Sequence, residues 1–200
     1  MSDNAVTGDR LSLDDYIADF TERFEGPAAD CWKLERRQTF VEQGSASYDA
    51  FARGDWAEAL RLIDERKPAL REYHEQLAER GLDVRRVRVV EQPVSPYLIW
   101  ELNSLRQRRE LGELIRVAGH DLVAPHEAGG ALPEVVGIDE AVVYQVLYDD
   151  DGVATGAIRS TEREQVARWR GVFVALFDRS EDIADFFDRE IAGLRPPGAR

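Results

Sequence analysis

Apolar residues recur along the chain with two different periods, and the switches between them mark the elements. Tyr16, Ile17, Phe20 and Phe24 repeat at helical spacing. Ser12 and Asp15 precede them at capping-box spacing, so a helix starts after Ser12, and Gly26-Pro27 ends it. CWKLER, residues 31–36, predicts a short strand, whereas 38–47 is polar without a clear period. Asp55 opens a helical stretch with Trp56, Ala59, Leu60 and Ile63 on one face. Pro68 has no N–H to donate and would clash one turn back, which splits this region into two helices. Pro68 then falls in the first turn of the second helix, and Gly81 supplies its C-cap.

A strand follows at 84–91. Val87 and Val89 share one face, and Arg86 and Arg88 share the other with Val84 and Val90. Ser95 is placed as an N-cap and Pro96 as the first residue of a helix reaching about Arg109. In that helix Leu98, Leu102 and Leu105 form a core stripe, with Tyr97, Glu101 and Arg108 on a neighbouring stripe. Residues 112–119 predict a strand, and Pro125, Gly129, Gly130 and Pro133 make 120–133 a loop. Residues 134–139 form a further short strand. The run 141–160 is a hairpin turning at Asp149–Gly152. Thr161 and Glu164 have capping-box spacing ahead of a helix with Trp169, Phe173, Leu176 and Phe177. A last short helix follows Ser180.

This order is not a regular alternation of strand and helix. It predicts an α+β fold with one mixed or antiparallel sheet of about five strands covered by helices. The expected organisation is a polar tail over 1–11, a single domain over 12–194, and a C-terminal tail over 195–200. Trp32 and Trp56 are expected to be the more exposed tryptophans, and His74 to lie solvated on a charged helix surface.

Charge narrows the function. The 39 acidic and 26 basic side chains give a net charge of −13, which disfavours broad binding to a phosphate backbone. No direct nucleic-acid binding is expected. Cys31 is the sole cysteine, so no intrachain disulfide and no cysteine-based zinc site can form. The polar N-terminus lacks an apolar signal core and no run approaches membrane-spanning length, so a cytoplasmic protein is expected.

The strand–turn–helix unit RRVRVVEQPVSPYLIWEL (85–102) leaves Arg86, Arg88, Glu91, Tyr97 and Glu101 unexplained by structure alone. With Ser95 at the helix start, they could converge into an anion-binding corner, aided by free N–H groups and the helix dipole. The bland alternative is that the arginines pair with surface carboxylates.

The same stretch resembles the central motif of an actinobacterial family of unknown function: a basic R-V-R-V-V strand, a Pro-x-Ser-x-Tyr turn and an aromatic–Glu–Leu helix. Trp56, GELIR (112–116), Asp139 and the YDDDG turn (148–152) fit in order, and the resemblance covers most of 18–178. The chain departs from it by a Gly/Ala/Pro-rich 120–133 segment where an aromatic-rich loop is expected. The family implies no established chemistry, and an association with helix-turn-helix regulators. VARWRGVFVALFDRS (166–180) is also faintly similar to the end of phospholipase-D-like sensor domains, which implies a degenerate phospholipase-D-like sandwich. The His-x-Lys of that catalytic signature does not occur.

No glycine-rich phosphate loop occurs either. Asp149, Asp150 and Asp151 lack EF-hand spacing and read as turn residues. His120 and His126, beside Asp121 and Glu127, read as polar loop residues rather than metal ligands, and Cys31 as a buried, inert thiol. No metal or cofactor is expected. Two function classes remain. One is a non-catalytic regulatory module that binds a small anion, or a protein partner such as a DNA-binding regulator. The other is an enzyme for an anionic or carrier-bound substrate, held by Arg86 and Arg88, with Glu101 as general base and Tyr97 as proton donor.

Overall fold

The alternation in strands β2 (Asp30–Glu35) and β3 (Asp83–Val89) decides the architecture. Trp32, Leu34, Val87 and Val89 point to one side of the sheet, and Cys31, Lys33, Glu35, Val84, Arg86 and Arg88 to the other. In the computed structural model, which describes residues 4–198, the sheet is open, mixed and eight-stranded among those residues. Its order is β1 (Asp9–Ser12), β7 (Ala154–Ser160), β6 (Val142–Tyr148), β5 (Val135–Ile138), β2, β3, β4 (Leu114–Ala118) and β8 (Glu181–Asp182). β2, β3 and β4 are parallel and the remaining pairings antiparallel.

The parallel strands need crossovers. α2 (Ala46–Ala52), α3 (Trp56–Glu65) and α4 (Lys67–Glu79) link β2 to β3, and α5 (Pro96–Glu110) links β3 to β4. Ser45, Asp55 and Ser95 cap α2, α3 and α5 through their side chains. Pro68 lies in the first turn of α4, as its missing N–H dictates. Gly81 follows α4 with φ +68°, the left-handed geometry of a helix stop.

One face of the sheet packs on α7 (Arg163–Arg179), whose Trp169, Phe173 and Leu176 meet Trp32, Leu34, Val87 and Val89. A Cβ at Gly137 would lie 2.0 Å from the Trp32 ring, so the ring occupies the room that glycine leaves. The other face carries two clusters. α1 (Leu13–Glu25) sets Tyr16, Phe20 and Phe24 against Tyr144 of β6 and its surroundings. α5, with α2, α3 and α8 (Ile183–Phe186), packs on Ile115 and Val117 of β4.

Several expectations change. The sheet has eight strands rather than about five: the six segments read as strands all pair, and β1 and β8 add to its edges. β1 lies inside the expected N-terminal tail, pairing Asp9–Ser12 with Gly156–Arg159, and Val6 is buried. Pro196 of the expected C-terminal tail is also buried. The outermost tail residues, 1–3 and 199–200, lie outside the described residues. Segment 120–133 contains α6 (His120–Val123) and a 3-10 turn at Ala124–His126. Glu162, not Thr161, is the N-cap of α7, while α8 follows Ser180 as expected, with Asp182 as its cap. Trp32, Trp56 and His74 are all buried. For both Trp32 and His74 the cause is tertiary: Trp32 sits on a strand covered by α7, and His74 lies with Leu77 on the inner face of α4.

Candidate functional site

Between the α1 cluster and the α5 cluster, the sheet face is polar. β2 presents Lys33 and Glu35 there, and β3 presents Arg86 and Arg88. α5 contributes Glu101 and Arg108, and the turn before β4 contributes Glu113. Arg88 is 0% exposed, and its Nε donates to Glu101 Oε2 at 2.7 Å. Arg86 pairs with Glu35, and its Nε donates to Glu113 at 2.8 Å. Arg108 lies 3.7 Å from the second Glu113 oxygen. Two buried atoms in this seam have no hydrogen-bond partner, Glu35 Oε2 and Arg88 Nη2.

Charges buried this way shift each other. Burial opposes ionisation of Glu35 and Glu113, yet the neighbouring guanidinium groups hold both below the usual carboxylate range. Glu101 goes the other way: burial pushes it up, and Arg88 does not fully compensate. Burial also raises the Tyr97 hydroxyl, with Glu101 and Glu42 adding to it. Beside the seam, Glu134 accepts the backbone N–H groups of Arg36 at 2.9 Å and Arg37 at 2.6 Å. Burial nevertheless pushes Glu134 up to about 7, against the effect of Arg88 and those N–H donors.

The seam floors a cavity of about 590 Å³. Glu35, Arg86, Glu101 and Arg108 line its polar side, and Phe40, Trp100, Leu105 and Tyr148 its apolar side. Leu13 and Ile17 of α1 also line it, and Ile17 is half exposed, which explains an apolar residue left facing water. Such a volume, half open to solvent and lined about equally by polar and apolar groups, suits a small polar organic molecule.

Not all of the residues singled out from sequence meet here. Arg86, Arg88 and Glu101 do. Tyr97 stands one turn before Glu101 on α5, but its hydroxyl donates to Glu42 at 2.7 Å. Glu91 leaves the group and pairs with Arg36 at 2.6 Å. Ser95 is structural: its Oγ accepts from Leu98 N at 3.1 Å and donates to the Gln38 carbonyl at 2.6 Å. The arginines do pair with carboxylates, but inside the protein rather than on its surface. Sequence reasoning missed Lys33, Glu35, Arg108 and Glu113 as members of the site. The available signal was that Lys33 and Glu35 alternate with Trp32 and Leu34 in the same way that Arg86 and Arg88 alternate with Val87 and Val89.

His120 and Asp121 line an open crevice at the ends of β3 and β4, away from the seam. The described residues contain no group of three or more His, Cys, Asp or Glu able to hold a metal ion. Cys31 is fully buried, and burial raises its thiol to about 11, so it is not a nucleophile at neutral pH. Asp149 serves the β6–β7 turn by accepting from Asp151 N and Val153 N. No helix among the described residues is long and apolar enough to cross a membrane.

A family model described as a domain of unknown function, DUF6879, matches residues 18–188. No curated protein matches the chain.

Proposed function

Because the chain belongs to the DUF6879 family, whose description names no activity, we propose its function from the cavity: a non-catalytic module that binds a small polar organic molecule between α1 and α5. One observation carries this reading. The cavity of about 590 Å³ is floored by a buried network in which the charges of Arg86 and Arg88 are met by carboxylates. Such a floor is preorganised for directional hydrogen bonding. It is a poor site for a bare anion beside Arg88, whose charge Glu101 already answers.

The ligand's apolar part would lie on Leu105 and Tyr148, and its polar groups would face Glu35, Glu101 and Arg108. The net charge of −13 suits a basic protein partner, such as a DNA-binding regulator, that would receive the signal.

A second reading is favoured by Glu101, whose pKa burial raises inside the cavity. An enzyme could use it as a general acid or base. Its tie to Arg88 and the tie of Tyr97 to Glu42 count against free proton transfer.

The test is a thermal-shift screen of small polar organic molecules against the wild type and Ser104→Trp. Ser104 lines the cavity and is half-buried, so the indole would fill the space. Compounds that raise the wild-type melting temperature should lose that effect in Ser104→Trp. Shifts that survive the filling would exclude this cavity. Turnover of a hit by the wild type but not by Glu101→Gln would establish the enzymatic reading instead.

A further inference from the structure

The polar seam does not stop at Arg86 and Arg108. These two residues also line a second cavity of about 270 Å³, on the side of the seam away from Trp100. Its apolar walls are Phe20 and Phe24 of α1 and Tyr73 of α4. Its charged groups are Lys33, Arg86, Arg108, the buried Glu113, and Glu25 at the exposed end of α1.

Three cations face two carboxylates here, and one of those two, Glu25, is exposed to water. Glu113 is 1% exposed and already shared between Arg86 and Arg108. The other partner of Arg86, Glu35, lies on the side of the larger cavity. Lys33 forms no ion pair among the described residues, and Arg108 has only the 3.7 Å contact with Glu113. Burial, reinforced by Arg86 and Arg66, pushes the Arg108 pKa below its usual value despite Glu113. A local excess of cations inside a chain of net charge −13 is the reverse of its average surface. An anion would complete the missing half of this arrangement, through charge-assisted hydrogen bonds from a guanidinium and an ammonium group.

We infer that the smaller cavity is an anion subsite, in which Lys33 and Arg108, with Arg86 at the shared wall, hold a carboxylate or phosphate group. This deepens the reading of the larger cavity as a ligand site: the bound molecule carries an acidic group that reaches past Arg86 and Arg108. The helix-terminus corner expected from sequence is replaced by a site at the middle of the sheet, where Lys33 lies beside Arg86 in the β2–β3 register.

The test uses the full chain and inorganic ions. Melting temperatures are measured in sodium phosphate, sodium acetate and sodium chloride at matched ionic strength, since screening alone stabilises so acidic a chain. At saturating concentration, phosphate or acetate should raise the wild-type value by about 3 °C more than chloride does. Which of the two is stronger distinguishes a phosphate from a carboxylate ligand. Lys33→Gln/Arg108→Gln should lose the increment. Lys33→Gln alone, which breaks no ion pair, should lose most of it with an unchanged far-ultraviolet circular dichroism spectrum. Ser104→Trp, which fills only the larger cavity, should keep it. An increment absent from the wild type, retained in Lys33→Gln, or lost in Ser104→Trp overturns the subsite. Organic ligands whose shifts survive Ser104→Trp would overturn the larger-cavity reading and leave the anion result standing.

Discussion

On one face of the sheet, Trp32, Leu34, Val87 and Val89 meet Trp169, Phe173 and Leu176 of α7. On the other, the alternate positions of the same strands place Lys33, Glu35, Arg86 and Arg88 against Glu101 and Glu113. Arg86, Arg88, Glu101 and Glu113 are buried, as are the residues opposite, so the main difference is chemical. The α7 face gains about 25 cal/mol for each Å² of apolar surface removed from water. The seam must instead strip water from at least five charges, at several kcal/mol per ion, which ion pairing about offsets. Stability alone would have placed valine and leucine at both sets of positions. The α7 face makes the fold, and the seam, which stability alone does not demand, suits the binding role proposed above.

The largest effect separating the faces is expected from Trp169→Ala. The ring is fully buried, and the truncation should cost about 3–5 kcal/mol, as large aromatic deletions in cores do. Urea unfolding measures it. A loss below about 1 kcal/mol would mean that α7 is not the anchor of the sheet.

A smaller effect comes from Glu134, which belongs to the polar side. Its pKa in the folded protein, about 7, stands above the ordinary carboxylate value of about 4.3. A group raised in this way stabilises fully below its unfolded pKa, and that stability is lost as pH rises through the folded value. Between roughly pH 5 and 8 this group should withdraw on the order of 2–3 kcal/mol. Glu134→Gln keeps an acceptor for the Arg36 and Arg37 N–H groups and should flatten that slope. Parallel slopes in the two proteins would show that Glu134 titrates normally.

How far the comparison could be read in advance depends on the range of each interaction. The elements were legible because their signals are local: Ser12, Asp55 and Ser95 cap helices within three residues, Pro68 breaks one, and the 149–152 turn joins two alternating runs. The two faces of β3 were legible for the same reason. The partners of its arginines were not. Glu35 is 51 residues from Arg86, and Glu113 is 27 away. Only the parallel β2–β3 pairing and the α5 crossover bring them together. Glu91 illustrates the converse: two residues beyond the end of β3, it was drawn toward Arg36 on a different segment. The edge strands β1 and β8 escaped notice because four and two residues carry too little alternation to register.

The smallest effect tests the joint between the two regions. Ser95 caps α5 where the seam-bearing strand turns into the seam-bearing helix. Ser95→Ala should cost about 1 kcal/mol, seen as a lower urea midpoint with an unchanged slope. An unchanged midpoint would mean that the cap contributes nothing.

The central claim is that stability alone does not demand the seam, and the Arg88–Glu101 pair tests it most directly. Equilibrium urea unfolding of the wild type, Arg88→Met, and Arg88→Met/Glu101→Leu gives the answer. Arg88→Met alone should lose about 3–5 kcal/mol, because buried Glu101 loses its partner and must either take up a proton or stay charged without it. The double variant should return to the wild-type stability or exceed it, because both desolvation penalties vanish together. A double variant that stays as unstable as Arg88→Met would contradict the account and make the seam a structural element like the face opposite.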